Sequence, residues 1–263
     1  MLNSLFEVRF SSPVIATAIH NGNYIRPELR PNLAITDEGR RQEEDPFTDR
    51  FINSFENKIV INTSRFEIDI NRRRDNSVYQ VADDCWGLEV WKESLTEENI
   101  NQSLAQYDTF YRRLDLIVSE TIETFGYAVI LDVHSFNHHR LGIGQPFDDI
   151  MKNPQVILGT NIMPDHYEPL VLKIQEVFKS NTYEGKPLEC ELNLRFPGGN
   201  LTRHLHREFP NKTFAIAIEF KKSFMNEWSG ELYNDKLKEL TKALESLTPF
   251  LAKEDILQTI TEK

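Results

Sequence analysis

The chain has 263 residues, of which 40% are hydrophobic, 11% aromatic and 27% charged. This composition is typical of a globular protein and excludes a disordered chain, and the length allows one large domain or two small ones. The formal net charge of −11, from 30 basic and 41 acidic residues, argues against a general nucleic-acid binder, because phosphate contacts need a basic face. The two cysteines, Cys85 and Cys190, supply neither a disulfide framework nor a thiolate zinc site.

The sequence shows no sign of a membrane or secretory segment. No apolar run reaches the roughly 20 residues of a membrane span, and the N-terminus lacks the cationic start and apolar stretch of a secretory signal. There is no internal repeat and no Gly/Ser linker. We therefore expect a single domain over residues 1–263, located in the cytoplasm, that binds neither nucleic acid nor membranes.

Hydrophobic periodicity predicts five strands and three helices. Short runs rich in Val and Ile indicate buried strands, and apolar residues three and four apart indicate helices. In chain order the predicted elements are strands at Val14–Ile19 and Lys58–Asn62, a helix at Glu97–Phe125, a strand at Tyr127–Asp132, a helix at Tyr167–Lys179, a weaker strand at Leu188–Leu194, a strand at Thr213–Phe220 and a helix at Leu232–Leu251.

The order of these elements indicates the fold class. Strands that are almost continuously apolar and alternate with helices predict a three-layer α/β sandwich with a mixed, largely parallel central sheet. Three segments are predicted to be long loops: Arg26–Glu56, Arg72–Glu97 and Asn137–Asp165. Each follows a strand end, which is where α/β folds place their active sites.

Polar side chains follow the predicted strands at their ends. His20 follows the first strand, Arg65 the second and the pair Asp132 and His134 the third, while Glu219 lies at the end of the last. If these strands are parallel neighbours, the side chains converge on one edge of the sheet. Two imidazoles and a carboxylate are usual ligands of catalytic zinc, with the fourth position left for a water whose pKa falls toward about 7. A free carboxylate can then act as general base, and an arginine can polarise a carbonyl or grip a carboxylate.

Taken singly, these residues leave other interpretations open. A histidine after a strand is more often structural than a metal ligand, and Glu219 fits an ordinary solvated carboxylate equally well. The segment Asp69–Arg72 is also compatible with a simple polar turn. Among the remaining histidines, His138 and His139 fit positions in a surface loop, and His166 fits the start of a helix. His204 and His206 lie in a polar stretch and fit either a structural or a functional position. Only the joint arrangement favours a metal site.

Seven motifs stand in order from about residue 13 to residue 228 of the chain. They are Ile19–Gly22 with Pro27–Leu29, Glu44–Asp49, Ser64–Arg65 with Ile68–Arg72, Leu131–Ser135, Leu158–Asn161, Leu192–Gly199 with Leu201–His204, and Ala217–Glu219. In this order they resemble the N-formylglutamate amidohydrolase family. The resemblance implies a zinc hydrolase with the carboxypeptidase-like α/β architecture, of the phosphorylase/hydrolase type.

The resemblance also implies a site that holds one zinc ion. His20 and His134 look like its two histidine ligands. Carboxypeptidase-like enzymes commonly take a third ligand from a Glu three residues after the first His, but this chain has Asn23 there. Asp45 is therefore the expected third ligand, and the alternatives are Glu44 and Glu28.

Further roles follow from the same resemblance. Glu219 stands where related hydrolases keep the general base, and Arg65 is expected to polarise the scissile carbonyl. Asp69 and Asp132 are expected to organise the site without binding the metal. The residues expected to hold the carboxylates of the substrate are Asn71, Arg72, Arg195 and Arg203.

The implied reaction is hydrolysis of the amide bond of a small anionic N-acyl amino acid, first of all N-formyl-L-glutamate to formate and glutamate. One alternative is a zinc carboxypeptidase or deacylase that acts on a peptide or another N-acyl amino acid. A non-catalytic binding module of the same fold and a plain structural domain are further alternatives, and a homo-oligomer is left open. The chain departs from the family at Asn21, where Ser or Ala is usual, and at Tyr107 and Tyr111, in a helix that often carries histidines.

Overall fold

The computed structural model describes residues 2–139, 153–160, 163–253, 256 and 259–260. The strands in this part of the chain are β1 (Ser4–Glu7), β2 (Val14–Ala18), β3 (Lys58–Ile61), β4 (Ala128–Phe136), β5 (Val156–Gly159), β6 (Thr182–Tyr183), β7 (Lys186–Pro187), β8 (Cys190–Leu192) and β9 (Thr213–Lys221). The α-helices are α1 (Asp37–Glu43), α2 (Thr48–Phe51), α3 (Glu97–Phe125), α4 (Glu168–Lys179), α5 (Asn200–Glu208), α6 (Asn234–Glu245) and α7 (Thr248–Leu251).

Seven strands form one mixed sheet in the order β1-β3-β2-β4-β9-β5-β8. The four central strands β3, β2, β4 and β9 run parallel, whereas β1 is antiparallel to β3 and β5 is antiparallel to β9. The strands β6 and β7 form a separate antiparallel pair. The predicted α/β sandwich with a mixed, largely parallel sheet is thus confirmed.

Helices cover both faces of this sheet and bury an apolar core on each. The larger core packs α2, α4, α6 and α7 against one face, and the smaller packs α3 and α5 against the other. A third apolar cluster, which includes Phe66 and Tyr79, lies between the loops that follow β2 and β3. None of the helices in the described part of the chain combines the length and apolar character that a membrane-spanning segment needs.

The central strands agree with the sequence prediction, while several peripheral elements differ from it. β2, β3 and β9 begin where predicted and end within one residue of the prediction. β4 continues to Phe136, beyond the predicted end at Asp132, because the polar residues that follow find buried partners. β8 is shorter than predicted, and β1, β5 and the pair β6 and β7 were not predicted.

The helices likewise agree with the sequence prediction in some places and differ from it in others. α3 begins after Thr96, whose hydroxyl accepts the Asn99 N–H at 3.2 Å, and ends at Gly126 in the left-handed conformation, as its sequence pattern indicates. The prediction of a single helix over Leu232–Leu251 is wrong, because this region forms two helices, α6 and α7, and the helical conformation is interrupted between them. The loop predicted over Arg26–Glu56 is also wrong in part, since it contains α1 and α2.

Candidate active site

The ends of the parallel strands bring together polar residues that are far apart in the chain. His20 follows the end of β2, and His134 lies in the last part of β4. Glu219 stands opposite His134 in the parallel ladder between β4 and β9. All three line one cavity of about 660 Å³ at this edge of the sheet. Parallel strand order is therefore what places these side chains around a common space.

A third donor, Asp45, reaches the two imidazoles from the loop between α1 and α2. Its Oδ2 atom lies 3.0 Å from Nδ1 of His134 and 3.6 Å from Nδ1 of His20. The Asp45 N–H donates to the His20 carbonyl at 2.9 Å, and the Asp45 carbonyl accepts the Thr48 hydroxyl at 2.8 Å. These bonds fix the backbone on both sides of the carboxylate. One donor atom from each of the three residues lies within 4.8 Å of the others.

The outer nitrogens of both imidazoles face carboxylates. His20 Nε2 lies 2.8 Å from Asp69 Oδ1, and His134 Nε2 lies 3.0 Å from Asp132 Oδ2. The other oxygen of Asp132 accepts the Thr17 hydroxyl at 2.7 Å. Metal-binding histidines in proteins usually donate their second N–H to such a carboxylate, which fixes the tautomer and the ring orientation. Both Nδ1 atoms are thereby left to face Asp45.

The charges around the imidazoles suit a cation. Asp45, Asp69 and Asp132 are all buried here. Burial raises the pKa of Asp45, but its hydrogen bonds with His134 and His20 outweigh that effect and lower it. Burial likewise lowers the pKa of His134, but the charge and hydrogen bond of Asp132 and the hydrogen bond to Asp45 together outweigh it and hold the pKa well above its usual value. Buried carboxylates need compensating positive charge, and two imidazoles with one carboxylate are a donor set for zinc. The side chains present therefore fit a divalent metal ion.

Glu219 has a different environment from the three donors. It is half-buried in the wall of the cavity. Burial raises its pKa to about 8, with the charges of Asp45 and Asp132 acting in the same direction and His134 opposing them. A carboxyl group with a pKa near neutrality can both take up and release a proton.

Asp69 connects His20 to the arginines of the site. Its Oδ2 atom accepts Nη2 of Arg65 at 2.8 Å and the Tyr79 hydroxyl, and lies 3.9 Å from Nε of Arg72. Burial raises the pKa of Asp69, but the charges of Arg65 and His20 hold it well below its usual value. The carboxylate thus fixes His20 and both guanidinium groups in one arrangement.

Trp86 is a site residue that the sequence analysis missed. Its ring lies 5.0 Å from the Arg65 guanidinium carbon and 5.4 Å from that of Arg72, which also lies 5.5 Å from the Tyr79 ring. Trp86 lines the cavity, is 54% exposed and has a left-handed backbone, with φ of 51°. Nothing in the local sequence identifies it, because its contact with the arginines depends on how the loop after β3 folds.

Asn71 lies between the imidazole of His134 and the start of α5. Its Nδ2 atom is 3.3 Å from Nε2 of His134, and its Oδ1 accepts the Leu201 N–H at 3.0 Å. A Cβ atom at Gly199 would lie only 2.1 Å from this Oδ1 atom, so any side chain there would displace the Asn71 amide. The amide predicted to bind substrate therefore also joins the histidine to the helix.

Two tyrosines of α3, Tyr107 and Tyr111, support the neighbouring segment. The Tyr111 hydroxyl donates to the Ile70 carbonyl at 2.7 Å, and the Tyr107 hydroxyl donates to the Arg72 carbonyl at 2.9 Å. Asn200 Nδ2 in turn donates to both hydroxyl oxygens, at 2.8 and 3.0 Å. This network connects α3, the segment that carries Asn71 and the first residue of α5.

The four residues predicted to bind carboxylates all line the same cavity. Arg195 donates to the Asn153 side chain, and Arg203 lies on the exposed face of α5. Together with Arg65 and Arg72 they surround the cavity with positive charge, which suits an anionic ligand although the protein as a whole is acidic.

The alternative third ligands lie elsewhere. The Glu44 carboxylate accepts Arg40 Nη1 at 3.1 Å and the Ser64 hydroxyl. Glu28 is 53% exposed and pairs with Arg26 at 3.2 Å. Neither side chain belongs to the group around the two imidazoles, so the structure favours Asp45 for this position.

The other histidines are also accounted for. His204 Nε2 lies 2.6 Å from Asp115, and His206 Nε2 accepts the Ala215 N–H at 3.0 Å. His166 lies in the short 3-10 turn before α4, and His138 and His139 meet Glu227. Of the motifs, Asn161 and much of the predicted loop Asn137–Asp165 lie outside the described residues.

Comparison with known proteins agrees with this geometry. The model of the N-formylglutamate amidohydrolase family matches residues 12–225 of the chain. The chain belongs to this family. The matched region includes every predicted site residue, from His20 to Glu219, so the candidate active site lies wholly within the N-formylglutamate amidohydrolase region.

Individual relatives cover nearly the full chain. The N-formylglutamate deformylase of Pseudomonas aeruginosa is 23% identical over 249 residues, which are 88% of this chain and 89% of that protein. The crystal structure of an N-formylglutamate amidohydrolase from Ralstonia eutropha has a TM-score of 0.76 at 16% identity and covers 95% of this chain and 98% of its own. The crystal structure of a gene product from Agrobacterium tumefaciens has a TM-score of 0.62 at 17% identity, and the match covers 94% of this chain and 96% of that protein. These structural similarities support the shared fold.

Proposed function

We propose that this member of the N-formylglutamate amidohydrolase family is a zinc-dependent hydrolase that cleaves the amide bond of a small anionic N-acyl amino acid. The names of its relatives indicate N-formyl-L-glutamate as the first substrate to consider. The observation that carries the proposal is that the metal donors, a carboxylate of raised pKa and the arginines all line one cavity.

His20, Asp45 and His134 would hold the ion. When bound, such an ion acidifies a water molecule and stabilises negative charge that develops on a carbonyl oxygen. Asp69 and Asp132 keep the two imidazoles oriented through their outer nitrogens. The protein thus supplies a rigid set of donors whose orientation does not depend on the substrate.

Glu219 is the proposed general base. It takes a proton from the attacking water and returns it to the leaving amide nitrogen, which balances the proton over the whole reaction. Its raised pKa suits a group that must both accept and donate near neutral pH. Its place opposite His134 in the sheet puts it beside the proposed donors.

Arg65 is the proposed carbonyl-polarising group. Its guanidinium is held by Asp69 at 2.8 Å and by the Glu43 carbonyl at 2.9 Å. A cation held in this way needs little reorganisation as charge develops on the substrate oxygen. Burial lowers its pKa, but the charges of Asp69 and Asp45 and the hydrogen bond to Asp69 together raise it well above the ordinary arginine value, so it remains protonated.

The substrate's carboxylates would be bound by the remaining arginines. Arg72, Arg195 and Arg203 line the same cavity as the proposed donors, together with Asn71. Arginine forks bind carboxylates at two points, which fixes both position and orientation. An N-acyl derivative of an acidic amino acid presents two carboxylates, and several arginines around one cavity match such a ligand better than a neutral one.

The direct test is metal content together with substrate selectivity. Protein purified without chelator should contain one zinc ion at this site and release glutamate from N-formyl-L-glutamate faster than it releases amine from N-acyl derivatives of neutral amino acids. Asp45→Asn should lose both the ion and the activity, whereas Asp49→Asn, in the same motif, should keep both. Cleavage of peptides in preference to N-acyl amino acids would instead support a carboxypeptidase. Full activity in Asp45→Asn would refute the proposed donor set.

A further inference from the structure

A second group of metal-binding side chains lies outside the candidate active site. His138 and His139 follow β4 after Asn137, and their ring centroids are 4.1 Å apart. Both Nδ1 atoms face the same carboxylate oxygen, Oε1 of Glu227, at 2.5 Å from His138 and 3.3 Å from His139. One donor atom of each of the three residues lies within 4.8 Å of the others.

The way the two rings converge needs an explanation. His138 lies at a bend of the chain after β4, and both imidazoles turn the same nitrogen toward one oxygen. The Glu227 carboxylate also accepts the N–H groups of His138 and His139, at 2.9 and 3.3 Å. These backbone bonds hold the carboxylate in place but do not require both rings to face it. The Nδ1 contacts with Oε1 bring the three side chains together, and a cation shared by them would bind at the same point.

We propose that His138, His139 and Glu227 form a second divalent-metal site, separate from the site of His20 and His134. Two imidazole nitrogens and one carboxylate suit Zn²⁺, Co²⁺ or Ni²⁺. Glu227 is only 3% exposed, so a bound cation would also compensate a buried negative charge.

The surroundings indicate an exchangeable ion. A cavity of about 540 Å³ lies against all three donors and leaves room for water at a further coordination position. Three protein ligands beside open space are typical of sites that exchange ligands, whereas structural zinc sites are closed by four. Trp228 covers one side, with its ring 5.0 Å from that of His139.

The second site adjoins the wall of the candidate active site. Asn137, the residue before His138, lines the larger cavity and donates from Nδ2 to the Gln42 carbonyl at 2.6 Å. An ion bound by the next two residues would fix the end of this segment. The second site is therefore a means of holding one wall of the active-site cavity, and it does not depend on the reaction proposed for that cavity.

The test counts metal ions in the full chain. Protein stripped with a chelator is titrated with Zn²⁺ against a chromophoric chelator, and with Co²⁺ followed by visible absorption. The unchanged protein should bind two equivalents. His139→Ala and Glu227→Gln should each bind one, with affinity at the second site lowered at least 100-fold. Glu227→Gln keeps an oxygen that can accept the backbone N–H groups, so it remains informative if His139→Ala does not fold.

Two further variants show which site binds each of the two metal ions. His166→Ala removes an exposed histidine from the turn before α4 and should still bind two ions, whereas His134→Ala should lose only the ion of the active site. The proposal is overturned if the unchanged protein binds one ion that only His134→Ala removes, and the proposed function then stands. It is also overturned if Glu227→Gln and His139→Ala still bind two ions. A single ion that is lost only in those two variants supports the second site and refutes the metal centre of the proposed function.

Discussion

Removal of the Tyr111 hydroxyl tests whether α3 supports the segment that carries Asn71 and Arg72, which is proposed to bind the substrate. In Tyr111→Phe the ring still fills its place in the core, where Tyr111 is 6% exposed, so no cavity forms. The change removes the hydrogen bond to the Ile70 carbonyl at 2.7 Å and the acceptor of Asn200 Nδ2 at 2.8 Å. Asn200 keeps its bond to Tyr107, but the Ile70 carbonyl loses this donor.

The expected magnitude follows from these contacts. A buried polar group left without its partner costs about 1–3 kcal/mol. For a domain of this size class, each kcal/mol lowers the melting temperature by roughly 2–4 °C, so Tyr111→Phe should melt about 2–12 °C lower. Asn71 and Arg72 follow Ile70 directly, and looser positioning of these residues should raise KM more than it lowers kcat.

The assay combines thermal unfolding with steady-state kinetics on N-formyl-L-glutamate. Tyr24→Phe is the matched control, because the Tyr24 hydroxyl makes no hydrogen bond within the part of the chain that the structure describes. This substitution should leave both the melting temperature and KM unchanged. A Tyr111→Phe protein with the melting temperature and KM of the unchanged enzyme would show that α3 does not support the segment, and the reasoning would fail.

Three other perturbations address separate parts of the molecule. Glu219→Gln should keep its metal content and lose about 10²- to 10⁴-fold in kcat, the contribution typical of a general base; metal analysis with single-turnover kinetics checks this, and near-normal turnover would exclude the role. Trp86→Ala should raise KM roughly 5- to 30-fold, because it removes two cation–π contacts of about 0.5–1 kcal/mol each. Trp86→Phe should raise KM less. An unchanged KM in Trp86→Ala would contradict the expected contribution of these contacts. Burial raises the pKa of Cys85 and of Cys190 to about 12, so at pH 8 the thiolate fraction is about 10⁻⁴ and alkylation of the folded protein should be at least about 1000-fold slower than that of an ordinary thiol. Rapid labelling before unfolding would show that these thiols are accessible.

The sequence predicts the central strands well because the sheet buries them on both faces. In β2, β3 and β9 most residues are apolar and buried, so the hydrophobic run and the strand nearly coincide. The prediction for β4 stops at Asp132 because the residues of the site itself, Asp132 and His134, interrupt the apolar run. The strand continues because hydrogen bonds to Thr17 and Asp45 satisfy these buried polar groups.

Short elements and loop contacts are not encoded in local patterns. α5 has only nine residues, four of them buried, so it is shorter than the window of about 11–18 residues over which periodicity indicates a helix. Tyr79 and Trp86 contact Arg65 and Arg72 only after the loop beyond β3 has folded over an apolar cluster. A sequence pattern indicates which side chains can bind a metal or an anion, but contacts between loops depend on tertiary packing.

The position of the third donor shows how tertiary packing decides a site. Asn23 stands three residues after His20, but the chain turns away at Gly22, where a Cβ atom would lie 2.0 Å from the Asn62 carbonyl carbon. The segment therefore runs closely along the end of β3, and the side chain at position 23 is exposed. Asp45 approaches from the loop before α2, and its own N–H donates to the His20 carbonyl at 2.9 Å. Because this bond ties the backbone of the two residues together, a short carboxylate is long enough to reach the imidazoles.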